Sequence, residues 1–278
     1  MIIAQLSDPH IAVRGTEFHD LYLTIDKLRI AIDRVNTLDP RPKCVVLTGD
    51  LVNAGGADEY AALREVVKNC QVPLYLGIGN HDCRETFRDT FSSHDYIPRE
   101  GFIQYAWEEN GLQCIMLDTH VPGQAYGVLC EERLSWLDQT LSEKAMTPTV
   151  IFMHHPPFLT GIKPMDDMGL KEADKFGEVV ARHKQIQRIF CGHLHRNISS
   201  DFYGVPATIC ASTSHKLLLN LTGSSRLGTV DEPADILLHG SQPLDASLAG
   251  YPYRIRLGSR LESRAESRNG PNVPAPKS

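Results

Sequence analysis

The sequence lacks the features that mark membrane, secreted and nucleic-acid-binding proteins. No apolar run approaches the roughly 20 residues that a helix needs to span a bilayer. Met1 is followed directly by IIAQLS, without a basic segment or a small-residue cleavage site, so we expect a cytoplasmic protein. No run of lysines or arginines forms a stripe that could follow a phosphate backbone, and the formal net charge of −6 argues against a general affinity for nucleic acid.

Cysteine is scarce and scattered. The seven cysteines include no Cys-x-x-Cys pair, and their number is odd. This pattern is typical of buried or incidental thiols in a reducing compartment, and it argues against a disulfide framework or a structural zinc site. With 278 residues, 42% of them hydrophobic and 22% charged, the chain has the composition of a globular protein with one large domain.

Short apolar runs recur along the chain and suit strands that are covered on both faces. There are six of them: IIAQL, CVVLT, LYLGI, CIML, TVIFM and RIFC. Helical patterns lie between these runs, over about residues 22–38, 58–69, 131–144 and 170–183. Asp58 is the predicted N-cap of the second helix. Strands that alternate with helices predict an α/β sandwich with largely parallel pairing.

The character of the chain changes after residue 196. Residues 197–250 lack strong helical periodicity and hold short apolar runs, among them HKLLLNL, between glycines and serines. We expect this segment to form a small cap or an oligomerisation extension. The tail, residues 251–278, is mostly polar and rich in Ser, Arg and Pro, and we expect it to be partly flexible and ordered only where it docks.

Five of the predicted strands end in residues that commonly bind metals. The five blocks that follow them are Asp8-Pro9-His10, Gly49-Asp50, Gly79-Asn80-His81-Asp82, His154-His155 and Gly192-His193-Leu194-His195. Each block alone is most simply a turn or a cap. Histidine supplies only 12 of 278 residues, however, so His, Asp or Asn at all five ends by chance is improbable. Binding sites of open α/β sheets lie outside the carboxyl ends of the strands, and the five blocks could therefore converge.

There are more candidate ligands than a single metal ion binds. They are Asp8, His10, Asp50, Asn80, His154, His193 and His195. A single ion rarely takes more than six ligands, whereas two ions that share a bridging carboxylate use seven. Imidazole and carboxylate donors together suit Fe, Mn, Zn or Co rather than Ca. Two such ions, about 3.5–4 Å apart, form the clamp used in hydrolytic phosphoryl transfer.

The order D-x-H, GD, GNHD, HH and GHxH resembles the calcineurin-like metallophosphoesterase family over about residues 1–196. GNHD followed by HHPP, in a chain of this length, resembles the class III cyclic-nucleotide phosphodiesterases and the bacterial glycerophosphodiesterases. The resemblance implies a four-layer αββα sandwich with residues 1–196 as the catalytic domain, and a cap of residues 197–250 that pairs subunits. It implies two metal ions per chain.

By position, the resemblance also assigns the ligands. The first metal would be held by Asp8, His10, Asp50 and His195. Asp50 would bridge, and the second metal would be completed by Asn80, His154 and His193. His155 is placed beside the ligands rather than among them.

The expected chemistry is in-line attack of a metal-bound hydroxide on phosphorus. Asp50 is essential to it as the bridging ligand. We assign His81 to contact with the substrate phosphate or to protonation of the leaving group, with a purely structural role as the alternative. Asp82 is expected to accept the distal N–H of an imidazole, and His120, at the end of the CIML run, to line the pocket. A solvated helix face is predicted for Lys27, Arg29 and Arg34.

The leading function is hydrolysis of a small phosphodiester, either a cyclic nucleotide or a glycerophosphodiester. A phosphomonoesterase, a phosphonate monoester hydrolase or a nuclease on the same scaffold are the alternatives, and a nuclease would want a basic groove that the composition does not show. A non-catalytic interaction module should have lost several ligands, and none is missing. We expect a homo-oligomer, either a dimer or an assembly of dimers, with no nucleic-acid or membrane partner.

Overall fold

Two β-sheets lie at the centre of the protein, whose computed structural model describes residues 1–230, 232–241 and 248–254. The strands are, in chain order, β1 (Ile2–Leu6), β2 (Cys44–Thr48), β3 (Leu74–Gly77), β4 (Tyr105–Glu109), β5 (Leu112–Met116), β6 (Gly127–Val128), β7 (Thr149–Phe152), β8 (Leu170–Lys171), β9 (Ile186–Cys191), β10 (Ile198–Phe202), β11 (Val205–Ile209), β12 (Lys216–Leu217), β13 (Thr229–Val230), β14 (Asp235–Ser241) and β15 (Leu248–Arg254). The first sheet has the order β15-β14-β1-β2-β3, and the second has the order β10-β11-β9-β7-β5-β4. β1, β2 and β3 are parallel, as are β5, β7, β9 and β11, so their carboxyl ends share one edge of each sheet.

Helices cover the outer faces of both sheets. They are α1 (Glu17–Tyr22), α2 (Thr24–Thr37), α3 (Ala57–Val67), α4 (Arg84–Thr90), α5 (Glu131–Glu143), α6 (Lys163–Asp166) and α7 (Ala173–Arg182). α2, α3 and α4 pack into one core with the first sheet, and α5 and α7 pack into another with the second sheet. Successive residues of a strand point to opposite faces, and β7 shows this directly: Val150 and Phe152 join the core between the sheets, while Ile151 faces the outer helices. The protein is therefore the predicted αββα sandwich.

All six predicted strands are confirmed, with ends that differ by a residue or two. The helix predicted from residue 22 is broken instead at Leu23, whose left-handed backbone (φ 53°) separates α1 from α2. The predicted N-cap Asp58 is wrong because α3 begins one residue earlier and Gly56 is its N-cap. Lys27 is not part of a solvated face: it is buried, and its Nζ donates to the carbonyl oxygen of Ser214 at 2.5 Å.

The chain after residue 196 contributes strands to both main sheets. β10 and β11 extend the second sheet, and β14 pairs antiparallel with β1 in the first. Of the predicted tail, residues 255–278 lie outside the described part of the chain. No helix of the described residues is both long enough and apolar enough to cross a membrane.

Candidate metal centre

Hydrogen bonds between loops bring the five strand ends together at one edge of the sandwich. The backbone N–H groups of Asp8 and His10 donate to the carbonyl oxygens of Gly49 and Asp50, at 3.1 and 3.0 Å. Between the two sheets, the N–H of His193 lies 3.1 Å from both carboxylate oxygens of Asp8. The ends of β1, β2 and β9 are therefore fixed relative to one another before any side chain of the centre is considered.

Four of the predicted ligands form a first cluster. Nε2 of His195 lies 3.4 Å from Oδ1 of Asp8 and 3.1 Å from Nε2 of His10. Nε2 of His10 lies in turn 3.5 Å from Oδ2 of Asp50. All four side chains are buried, and their ligand atoms lie close enough together to hold one metal ion.

The second cluster shares Asp50 with the first. Nε2 of His154 lies 3.3 Å from Oδ2 of Asp50, 3.2 Å from Oδ1 of Asn80 and 3.2 Å from Nδ1 of His193. The same oxygen of Asp50 therefore faces both clusters. All seven predicted side chains are brought together at this edge, and His155 also has a ligand atom within 4.8 Å of those of His154 and His193.

The donor atoms of these clusters fit metal ions. The Nδ1–H of His195 donates to the carbonyl oxygen of His215 at 3.0 Å, and the Nδ1–H of His154 donates to that of Thr48 at 2.8 Å. Nε2 of each ring is therefore the nitrogen that faces carboxylate or amide oxygens, and a cation bound there in place of a proton would satisfy the lone pairs of these atoms. Ligand atoms that share an ion at about 2.0–2.2 Å lie about 2.8–3.6 Å apart, which covers each distance above.

His155 lies beside the second cluster but has other partners. Its Nδ1 is 2.7 Å from Oγ1 of Thr119, and its Nε2 is 3.2 Å from the carbonyl oxygen of Ala125. Both ring nitrogens are thus engaged by the protein. Of the two adjacent histidines, His154 is the one with a nitrogen free to bind a metal.

The backbone at the centre is strained. Five of the seven predicted ligands have left-handed backbone conformations, with φ values of 50° at Asp8, 43° at His10, 47° at Asp50, 73° at His193 and 56° at His195. Such conformations cost about 1–2 kcal/mol each in a non-glycine residue, and they concentrate at functional sites. Glycine is required where the loops approach closely, since a Cβ at Gly79 would lie 2.3 Å from Oδ1 of Asp50.

The two buried carboxylates make the centre attractive to cations. Burial raises the pKa of Asp50, but the charges of His154 and His81 outweigh this effect and hold it well below its usual range. Burial also opposes the charged form of His154, yet Asp50 raises the pKa of this imidazole to about 9. The negative potential that favours a proton at His154 is the same potential that would favour a metal ion.

His81 lies next to the first cluster without joining it. Its backbone N–H donates to Oδ1 of Asp50 at 2.9 Å, and its Nδ1 lies 2.7 Å from the carbonyl oxygen of Asn53. The ring is edge-on to His10, with centroids 4.7 Å apart. Because Nδ1–H is held by the carbonyl, Nε2 is the nitrogen left for a substrate.

The prediction for Asp82 is wrong. Its carboxylate accepts hydrogen bonds from the backbone N–H groups of Gly79 and Leu51, at 2.8 and 3.1 Å, and from the Tyr60 hydroxyl at 2.8 Å. No imidazole of the described residues contacts it through a hydrogen bond. Asp82 instead ties the loop after β3 to the residue that follows Asp50.

Sequence reasoning missed His215. Its ring stacks on Tyr22 with centroids 4.4 Å apart, and it lies 4.4 Å from the ring of His195 and 5.5 Å from that of His10. It stands in an irregular loop after β11, which Ser212 fixes by donating to the carbonyl oxygen of Asp8 at 2.7 Å. No strand end or repeated block marked this position. The only local signal was a further histidine, in TSHK.

Known proteins resemble this chain over most of its length. A model of the calcineurin-like phosphoesterase family matches residues 1–197. A probable glycerophosphodiester phosphodiesterase from Arcobacter nitrofigilis is 32% identical over 240 residues, which are 86% of this chain and 88% of that protein. A probable cyclic nucleotide phosphodiesterase from Rhodopseudomonas palustris is 34% identical over 235 residues, or 83% of this chain and 84% of that protein.

The fold has counterparts among solved structures. A dimetal phosphatase from Danio rerio superposes with a TM-score of 0.63 and 14% identity, over 91% of this chain and 98% of that one. At this identity the likeness shows the fold alone. Together with the match over residues 1–197 and the relatives above 30% identity, it establishes that this chain is a hydrolytic enzyme of the calcineurin-like phosphoesterase family.

Proposed function

We propose that the protein hydrolyses small phosphodiesters, such as cyclic nucleotides or glycerophosphodiesters, at a centre of two metal ions. The observation that carries this proposal is the position of Asp50, whose Oδ2 lies within 3.5 Å of His10 in one cluster and 3.3 Å of His154 in the other. One carboxylate placed between two ligand sets is the arrangement that a bridged pair of metals requires.

The ligands divide as the two clusters do. Asp8, His10, Asp50 and His195 hold the first ion, and Asp50, Asn80, His154 and His193 hold the second. The donors are imidazole, carboxylate and amide, which suit Fe, Mn, Zn or Co. When bound, two such ions lower the pKa of a water molecule toward neutrality and neutralise the charge of a phosphate group.

The protein's own residues position the substrate and move a proton. His81 lies beside the first cluster with Nε2 open, so it contacts the phosphate or protonates the departing alcohol. His215 lines the same side, and its stacking on Tyr22 keeps its ring from turning away. The orientation of His81 does not depend on a metal, because a carbonyl oxygen and Asp50 fix it.

Both the charge of the substrate and the names of similar proteins favour a diester over a monoester as the substrate. A monoester carries a second negative charge, which cationic side chains would have to meet. Arg84, in the helix that follows the Asn80 loop, is already paired with a carboxylate: it makes two bonds to Asp118, at 2.6 and 2.9 Å. Relatives named as glycerophosphodiester and cyclic nucleotide phosphodiesterases support the same choice.

Turnover on matched substrates tests the proposal. We expect kcat/KM for bis(4-nitrophenyl) phosphate to exceed that for 4-nitrophenyl phosphate by about tenfold or more at equal metal loading, since the leaving group is the same. A preference for the monoester would make the protein a phosphomonoesterase. Cyclic AMP and glycerophosphoethanolamine in the same assay distinguish the two classes of natural diester, and 4-nitrophenyl phenylphosphonate tests the phosphonate alternative.

We also propose that the protein forms homo-oligomers through residues 197–250. Three leucines of this segment, Leu218, Leu219 and Leu221, are 48%, 54% and 62% exposed. Apolar side chains clustered on a surface are typical of subunit contacts. Sedimentation of the wild-type protein as a dimer or larger, and of the Leu219→Glu, Leu221→Glu double variant as a monomer, would support the proposal, whereas a monomeric wild-type protein would contradict it.

A further inference from the structure

One peptide unit connects a buried carboxylate to the imidazole of His81. The unit joins Asn53 to Ala54. Its N–H, on Ala54, donates to Oε2 of Glu59 at 2.8 Å. Its carbonyl oxygen, on Asn53, lies 2.7 Å from Nδ1 of His81. Glu59 and His81 thus form hydrogen bonds to opposite ends of the same planar peptide unit.

Helix capping explains only part of the position of Glu59. Glu59 is the third residue of α3, and its Oε2 accepts the N–H of the N-cap residue Gly56 at 3.3 Å, as in a capping box. The contact with Ala54 is shorter and lies outside the helix. Burial raises the pKa of this carboxyl, although the two N–H groups lower it, so the free energy of burying the charge is not fully recovered at this position.

The loop that carries the peptide unit packs against the histidine's own loop. The N–H of Asn53 donates to the carbonyl oxygen of Ile11 at 3.1 Å, which fixes the start of the loop. Gly55 follows in a left-handed conformation (φ 74°), and a Cβ there would lie 3.2 Å from Cβ of Cys83 and 3.4 Å from the carbonyl oxygen of His81. Between these anchors, Glu59 sets the tilt of the peptide plane.

We propose that Glu59 is a positioning residue that acts on His81 through the peptide unit between Asn53 and Ala54. A peptide unit is planar, so holding its N–H also aims its carbonyl oxygen. An anionic acceptor on the N–H polarises the unit and strengthens the carbonyl oxygen as an acceptor. The carbonyl oxygen then keeps the proton of His81 on Nδ1 and presents Nε2 to the cleft.

We call this path, from Glu59 through the peptide unit between Asn53 and Ala54 to His81, the relay. It predicts that three substitutions behave differently. Glu59→Ala removes the acceptor. Glu59→Gln keeps a neutral oxygen at the same reach, so it should restore the geometry without the charge. Asp58→Ala is the matched control, because Asp58 is the neighbouring carboxylate of the same helix turn and its Oδ1 accepts only the N–H of Glu59, at 2.9 Å, among the bonds to described residues. Metal content and circular dichroism verify that each variant is folded.

Nitrogen NMR of ¹⁵N-histidine-labelled, Zn²⁺-loaded protein gives the direct test, with the His81 signals assigned by their loss in His81→Ala. We expect a protonated Nδ1 and a bare Nε2 in the wild type, in Asp58→Ala and in Glu59→Gln. We expect the two tautomers to average in Glu59→Ala. An unchanged His81 spectrum in Glu59→Ala would overturn the relay. If Glu59→Ala does not fold, loss of the ordered tautomer in Glu59→Asp, whose shorter side chain cannot reach Ala54, decides in the same way.

A kinetic measurement shows what the relay does, and this arm alone rests on the proposed function. If His81 protonates the leaving group, Glu59→Ala should lower kcat for alkyl diesters by up to about 10²-fold and spare 4-nitrophenyl esters, whose leaving group needs no proton. Glu59→Ala combined with His81→Ala should be no slower than His81→Ala alone. Equal losses on both ester types in His81→Ala would refute the proton-transfer role of His81, while the NMR result would still decide the relay. Additive losses in the double variant would count against the relay itself.

Discussion

Oδ2 of Asp50 and Nε2 of His154 lie 3.3 Å apart, and the same oxygen lies 3.5 Å from Nε2 of His10. The other oxygen, Oδ1, accepts the backbone N–H of His81 at 2.9 Å. The carboxylate of Asp50 thus contacts imidazoles of both clusters and the loop of the proposed proton donor. Its left-handed backbone (φ 47°) indicates that the surrounding loops hold it in place.

Asp50→Ala should abolish hydrolysis and lower the affinity for both metals at once, because the substitution removes an anionic ligand from each cluster. His195→Ala is the comparison, since the imidazole of His195 belongs to the first cluster, where its Nε2 faces Asp8 and His10, and the second cluster should retain its metal. Metal content after gel filtration and turnover on a chromogenic diester provide the measurements. Activity of Asp50→Ala above a few per cent of wild type would rule out the bridging role.

His81→Ala should leave the metal content unchanged while it lowers turnover by on the order of 10²-fold, the usual scale for a positioned proton donor. The reason is geometric: the ring nitrogens of His81 are not among the converging ligand atoms, and Nδ1 is taken by the carbonyl oxygen of Asn53. Metal analysis and turnover on an alkyl diester measure the two effects separately. Loss of metal from this variant would show that His81 supports the centre rather than the reaction.

The strands and the candidate ligands could be predicted because both have local patterns. Runs such as CVVLT are buried along their whole length, and the ligand blocks follow directly at their carboxyl ends. Asn80 and His154 follow strands of different sheets. The rule that parallel strands end at a common edge gives the edge of each sheet at which they lie, and contacts such as that between Asp8 and His193 join the two edges.

Contacts between distant loops could not be predicted in this way. His215 reaches the centre because Ser212 and Lys27 fix its loop to β1 and α2, and those contacts span about 200 residues of sequence. Asp82 was misassigned because a carboxylate can equally accept imidazole and backbone N–H groups, and only the fold shows which of them is near. Glu59 has the sequence pattern of a capping residue, and its contact with Ala54 becomes visible only in three dimensions.

The two metals should bind with unequal affinity. Asp8 and Asp50 offset the charge of the first ion, whereas the second has Asp50 as its single carboxylate beside Asn80, His154 and His193. Fewer anionic ligands generally mean weaker binding. Protein dialysed against a mild chelator should therefore keep about one metal per chain, and calorimetric titration of the stripped protein with Mn²⁺ should resolve two unequal events.

Asn80→Asp is the matched test of this asymmetry. It should tighten the weaker event, because it adds a negative charge at nearly constant shape, and it should slow turnover, because that charge opposes the incoming phosphate. Two indistinguishable binding events in the wild type, or an unchanged second event in Asn80→Asp, would show that ligand charge does not set the order of binding.

His239 should make the protein less stable as the pH falls below neutrality. Its ring stacks on Phe190 between the sheets, with centroids 3.7 Å apart, and its Nε2–H donates to Oε1 of Gln5 at 2.9 Å. Burial, assisted by the charge of Arg188, lowers the pKa of this imidazole from 6.5 to about 3. Below pH 6.5 the imidazole of His239 therefore binds a proton in the unfolded chain but not in the native protein. The contribution of His239 to the free energy of unfolding is complete above that pH and is lost as the pH falls toward 3. Between about pH 7.5 and about pH 5.5 this one group should remove about 1.4 kcal/mol from the free energy of unfolding.

His239→Gln keeps a donor for Gln5 but does not titrate, so urea unfolding of the two proteins at equal metal loading should give a shallower pH dependence for the variant. Equal pH dependences of the free energy of unfolding in the two proteins would mean that the native protein also protonates His239.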